Sequence, residues 1–307
     1  MDQIISSLTN AFTLAFVVTS MFSLGLGLTV QDIIEPLKNV RLVLMSLLAN
    51  FVIVPAVAFA LTRILSLQQD LQIGVLLMGA VAGAPIAIKA AQIARGDIRF
   101  AASLVTLQVV ATVIYLPLVL PRLIPGVTVD AVAIALPLVL QILLPLAFGL
   151  LMNVRYDEEA EMTRPIMGEI ANISLALMLV LNLTNIGSVL GLLGTGAILS
   201  ALLVYATGLG TGYLLGGPEV KTRRVLALGT GHRNFAAAFA IVAGNFASQP
   251  TVFLLLLAAS LISMIITMLA AGEFGRRAKA AGETSFVNDT PVVTDGALAA
   301  PDRRGTA

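Results

Sequence analysis

The chain has 307 residues and a formal net charge of +1; 58% of it is hydrophobic, 11% is charged, and the mean hydropathy is +0.98. A soluble domain carries about 25% charged residues, so this chain cannot cover a water-facing surface and is expected to be an all-α integral membrane protein. With no cysteine and one histidine, disulfides, thiolate chemistry and His-cluster metal sites are excluded; no Gly-rich run ends in Gly-Lys-Ser/Thr, so no ATP-cradling loop is present.

A span needs about 20 apolar residues. Nine stretches qualify, approximately 9–30, 39–64, 70–94, 98–122, 129–153, 166–190, 193–216, 223–247 and 250–274. No basic region precedes the first, which reads as a retained span and not a cleaved signal. Odd-numbered loops and the start of the tail hold twelve Lys or Arg, from Lys38 and Arg41 to Arg277 and Lys279, whereas the even-numbered loops hold only Arg63 and Arg122. Basic residues stay on the cytoplasmic side, so an outside N-terminus, a cytoplasmic C-terminus and an odd number of spans are expected. The acidic run Asp157-Glu158-Glu159-Ala160-Glu161 reads as a solvated loop between two halves, and 276–307 as a disordered cytoplasmic tail.

Two spans carry internal breaks. Gly83-Ala84-Pro85 interrupts the third, because Gly tolerates unwound backbone and Pro starts a new helical turn. Gly229-Thr230-Gly231 interrupts the eighth, with Thr230 placed to cap the following half-helix. The two broken spans are five apart and so cross in opposite directions, the plan of an inverted repeat. Free N–H groups at half-helix starts attract anions, and unwound backbone in a membrane needs protein or a watery cavity around it. Packed helices are also kinked by Gly and Pro without any such role.

Each break is followed by a cation, Lys89 or Arg233, with no acid at comparable depth. A cation at the bilayer centre costs about 2.5–3.5 kcal/mol even on lenient scales, so both are candidate contacts for an anionic cargo. Lys89 lies about 9 Å along a helix from Arg95, nearly within snorkelling reach of the surface. Arg233 is roughly 14 Å beyond Arg224, and bonds to freed carbonyls are its structural alternative. His232 is a candidate proton relay, sharing a coupling role with Lys89 and Arg233, or else a packing residue. Asn234 is the best candidate for a hydrogen bond to cargo, with Thr230 beside it. Asn50, Gln92, Gln108 and Asn245 are further polar groups in apolar runs; Gln108 and Asn50 are as well suited to bonds between helices. Ser103 and Thr106 share a helix face and can instead bond backbone.

Three stretches resemble the bile acid:sodium symporter family: Met21–Thr29 ending in Gly-Leu-Thr, Ala49-Asn50-Phe51-Val52-Ile53-Val54-Pro55, and Gly229-Thr230-Gly231-His232-Arg233-Asn234 with the following Phe235–Phe246. The resemblance implies a core domain with two broken helices crossing at its centre and a panel domain beside it. It divides the chain into panel 1–35, core 36–125, panel 126–190, core 191–275 and tail 276–307. It also implies a bacterial inner-membrane transporter of a small organic anion, with no cofactor and no enzymatic activity.

The departures from the family pattern are chemical. Gly229 stands where the resemblance places a sodium-binding Glu, and Arg233 where it places a sodium-binding Gln. Ala87, Ile88, Ala101, Val105 and Asn50 replace other polar positions of the family. Sodium is therefore a doubtful partner, and Lys89 and Arg233 are expected to stand in for sodium ions. A sodium-coupled symporter using other ligands, and a non-transporting membrane sensor on the same fold, are the alternatives.

Overall fold

The computed structural model describes residues 2–34, 38–123, 131–181 and 186–283. The described residues form helices and no strands: α1 (Asp2–Leu26), α2 (Val30–Ile34), α3 (Val40–Ile64), α4 (Gln69–Ala80), α5 (Ile86–Ile93), α6 (Ile98–Leu123), α7 (Ala131–Arg155), α8 (Asp157–Leu181), α9 (Ile186–Gly191), α10 (Ala197–Leu215), α11 (Val220–Gly231), α12 (Phe235–Asn245) and α13 (Pro250–Ala280). Among the described residues, seven stretches are long and apolar enough to cross a membrane: most of α1, then α3, α6, α7, α10, the α11–α12 pair and α13. The other two expected spans fall on the interrupted pair α4–α5 and on α8, which are not among those seven.

Two elements differ from the sequence expectation. The acidic run at 157–161 is the first turn of α8 and not a loop. Carboxylates are favoured there because they face the positive end of the helix dipole. The stretch after residue 275 also begins as helix, since α13 continues to Ala280; residues 284–307 of the expected tail lie outside the described ones.

Prolines shape two of the long helices. Pro55 and Pro145 each follow a π-helical turn, Ala49–Ile53 in α3 and Val139–Leu143 in α7. A proline has no N–H for the carbonyl one turn back, and the local widening absorbs that loss. In α3 the wide turn contains Asn50, which is fully buried.

In lipid, helices associate through close packing and hydrogen bonds instead of water exclusion. Here α1 lies along α7 and α8, with Gly25 and Gly149 at backbone contact: a Cβ on either would strike the other helix's carbonyl oxygens. A second close pair is α10 with α11, where Gly208 and Gly212 face the backbone of Thr230 and of Leu226–Ala227. The interrupted helices α4–α5 and α11–α12 are packed between α6, α10 and α13.

A clamp closes one end of this group. Arg224 at the start of α11 is buried and pairs with both carboxylate oxygens of Glu283, at 2.7 and 2.8 Å. Arg95, just after α5, donates to the Glu283 backbone carbonyl. Hydrogen bonds from Arg224 hold the Glu283 carboxyl below its usual range. A lowered carboxyl contributes stability above its unfolded value, about 4.3, and loses it as pH falls through the lowered native value. The gap in melting midpoint between wild type and Glu283→Gln in detergent is expected to be full near neutral pH and to close under acid. A gap that stays constant with pH would show that the charge pair adds nothing.

Candidate functional site

The first break unwinds Val81–Ala84, and Pro85 begins α5. Gly83 has a φ of +84°, and a Cβ there would strike the backbone of α6 at Val105 and Val109; only glycine fits both demands. Thr112 of α6 satisfies the unwound chain. Its hydroxyl accepts from the Ala82 N–H at 3.0 Å and donates to the Ala82 carbonyl at 3.1 Å. The expected break residues Gly83 and Pro85 are thus in place.

The second break lies three residues later than expected. Gly229, Thr230 and Gly231 are the last turn of α11, and the chain opens at His232. The glycines serve packing instead: a Cβ on Gly231 would strike the Leu209 side chain, and one on Gly229 would meet Leu104 at 3.0 Å. The cap of α12 is Asn234 and not Thr230. Its Oδ1 accepts from the Ala237 N–H at 3.1 Å, and its Nδ2 donates across to the Gly83 carbonyl at 3.0 Å, tying one break to the other.

Arg233 is fully buried, and its charge is enclosed by oxygen. Nε donates to the Met78 carbonyl at 2.9 Å and Nη2 to the Gly79 carbonyl at 2.7 Å, both at the end of α4. Nη1 donates to the Thr230 carbonyl at 3.0 Å, at the end of α11, and to Asn50 Oδ1 at 2.9 Å. Carbonyls at a helix C-terminus carry partial negative charge, so one guanidinium caps two half-helices at once. Asn50 Nδ2 in turn donates to Thr230 Oγ1 and to the Ser46 carbonyl, both at 3.0 Å. Thr230, expected beside cargo, is buried in this network.

Above the network lies a cavity of about 360 Å³. The starts of both second half-helices border it through Ala84–Ile86 and His232–Ala236. Lys89 and Gln92 of α5, Ser20 and Ser23 of α1, and Arg164 and Asn172 of α8 also line it. Lys89 and Arg164 are exposed, and no Asp or Glu is among the described lining residues. His232 Nδ1 lies 2.9 Å from Ser263 Oγ and 3.2 Å from Thr267 Oγ1, both on α13. The structure therefore brings Lys89, His232, Arg233 and Asn234 together at the cavity, with Thr230 behind it in the Arg233 network.

Other polar candidates sit elsewhere. Thr106 bonds the Ala102 carbonyl of its own helix, and Asn245 reaches the Ala133 carbonyl of α7. The Gln108 amide, a candidate for a bond between helices, is fully buried with no partner among the described residues. Arg164, Thr112, Ser263 and Thr267 were not singled out in sequence. The signals were a further cation near the end of a span and, for Ser263 and Thr267, hydroxyls one helical turn apart. No group of three or more His, Cys, Asp or Glu able to hold a metal occurs among the described residues.

The sequence profile of the sodium bile acid symporter family matches residues 13–193, a stretch that contains the first break and stops short of the second. The chain is 23% identical over 247 residues to a probable chloroplastic sodium/metabolite cotransporter of Arabidopsis thaliana, covering 79% of this chain and 62% of that protein. A second such protein of Arabidopsis thaliana is 25% identical over 236 residues, covering 75% and 54%. One from Oryza sativa subsp. japonica is 25% identical over 231 residues, covering 74% and 55%. This chain thus spans little more than half the length of the curated relatives it matches.

Proposed function

We propose, for a chain that belongs to the sodium bile acid symporter family, that it is a secondary transporter moving a small organic anion by alternating access without sodium. The observation that carries this reading is the seat of Arg233. Half-helix C-termini and unwound carbonyls are the groups that coordinate sodium in transporters of this general plan. Here a permanent cation already occupies such a cluster, bonded to three carbonyls and an amide oxygen. The neighbouring positions offer no replacement. Gly229 faces Leu104, and Leu104 and Ala101 belong to an apolar cluster with Ala91, Phe100 and Val225.

Anion selectivity follows from the cavity, where two half-helix N-termini, Lys89 and Arg164 meet no acid among the described residues. We assign α3–α6 and α10–α13 to a core and α1, α7 and α8 to a panel, with the cavity between them. The cavity is lined by Lys89 of α5 and Arg164 of α8, the spans that adjoin the loops carrying Arg95, Arg99 and Arg155, so with a cytoplasmic C-terminus it opens inward. Sodium-free movement leaves uniport, anion exchange or proton cotransport as modes, and His232 is the side chain that a cotransported proton would use.

The test is uptake of radiolabelled succinate and butyrate by proteoliposomes in which choline replaces sodium on both sides. Initial rates are expected to stay within about twofold of those in sodium. Uptake that disappears in choline would overturn the reading and favour the sodium coupling that the relatives' names describe.

A further inference from the structure

Resting on that reading, we propose that the cargo is an organic dicarboxylate, bridged between Lys89 and Arg164, and that the carrier exchanges one such dianion for another. Both cations line one cavity and come from different helices, Lys89 from α5 and Arg164 from α8. Neither charged group has a hydrogen bond or ion pair among the described residues. Arg224 and Arg233, by contrast, are fully engaged by Glu283 and by carbonyls. Arg164 also has a prepared seat. Its guanidinium lies where a side chain on Gly27 would be, and its backbone carbonyl accepts from Ser23 Oγ at 3.1 Å. The same cavity has apolar lining from Leu24, Leu175, Phe239 and Met264, beside the uncharged polar groups of Ser20, Ser23, Asn172 and Ser260. Acidic groups at both ends of a short hydrocarbon chain match this arrangement, and a guanidinium fork pairs well with a carboxylate. A cavity of 360 Å³ is the volume of about a dozen water molecules, which sets the cargo at metabolite size.

The same charges dictate the mode of transport. Closing the core on the panel around an empty cavity would bury two unpaired cations, which is strongly unfavourable. A monoanion would leave one of them uncompensated, whereas a dianion neutralises both. The loaded carrier therefore closes and reorients and the empty one does not, which is obligatory exchange.

The experiment uses the full chain in proteoliposomes, measuring initial uptake of radiolabelled succinate with the vesicles empty or preloaded with succinate, glutarate or butyrate. Preloading with either dicarboxylate is expected to raise uptake about tenfold or more, butyrate much less, and external glutarate to compete about tenfold better than butyrate. Lys89→Gln and Arg164→Gln, both at exposed positions with no hydrogen-bond or ion-pair partner among the described residues, are expected to keep the wild-type melting midpoint. Each should abolish the preference for dicarboxylates, and the double variant, which leaves neither cation in the empty cavity, should let empty vesicles take up substrate as fast as loaded ones. Equal competition by glutarate and butyrate, uptake indifferent to preloading, or accumulation driven by a pH gradient alone would each overturn the proposal. A parallel arm in choline separates the two readings. Loss of all uptake there sinks sodium independence, whereas sodium-free uptake without dicarboxylate preference sinks only this inference.

Discussion

Replacing Arg233 by glutamine is expected to turn a protein indifferent to sodium into one that sodium stabilises. The guanidinium serves four acceptors, the carbonyls of Met78, Gly79 and Thr230 and the side-chain oxygen of Asn50. A glutamine amide has two N–H donors, so at least two buried oxygens lose their partners. Each orphan costs about 1–3 kcal/mol, and the two half-helix ends lose the positive charge that faced their dipoles. A fall in melting midpoint of roughly 10 °C in choline or potassium buffer follows. The vacated seat is then an oxygen-lined cluster without a cation, which is what a small hard cation requires. Sodium at about 100 mM should recover much of the loss in Arg233→Gln and leave wild type unchanged, a concentration-dependent shift characteristic of ligand linkage. If the variant melts like wild type in choline, the guanidinium does not hold the crossing together. If it melts low and sodium does nothing, the cluster is not the place a metal ion would take.

The membrane class and the presence of two interrupted crossings were legible because they depend on run length, glycine and proline, which act locally. Gly83 and Pro85 break the third span where the sequence puts the break, since an unwound turn with positive φ leaves glycine few substitutes. The second break was displaced because Gly229 and Gly231 look like helix breakers but are packing glycines, read correctly only once Leu209 and Leu104 are opposite them. Asn234, an ordinary N-cap residue, was the better marker. The start of α8 was misread because an acidic run suits both a solvated loop and a first helical turn. The Arg233 network was half visible: burial of an unpaired cation demanded acceptors, but only the fold could say that they would be the ends of α4 and α11. The importance of Arg164 was hidden, because a basic residue near a span's end usually faces water, and it becomes a site residue only where α8 and α5 line one cavity.

Changing Asn234 to aspartate is expected to preserve the fold and to remove most anion uptake. The side chain does two jobs through two different atoms: Oδ1 caps α12 at the Ala237 N–H, and Nδ2 holds the Gly83 carbonyl of the other break. Aspartate keeps the cap, and its charge is favourable at a helix start. It loses the donor, leaves Gly83 facing a second oxygen, and puts a fixed carboxylate on the cavity wall, where an incoming anion would compete with it for Lys89. Alanine loses both jobs, at about 1 kcal/mol for the cap and about 1–3 kcal/mol for the orphaned Gly83 carbonyl. Melting midpoints should therefore fall in the order wild type, Asn234→Asp, Asn234→Ala. Uptake should follow a different order: the aspartate variant drops about 100-fold, and the alanine variant, with no added charge, keeps more activity despite lower stability. That inversion separates damage to the fold from repulsion of cargo. An aspartate variant that transports at the wild-type rate would mean that anions do not approach the paired half-helix starts, and the cavity above Arg233 would lose its claim to be the cargo site.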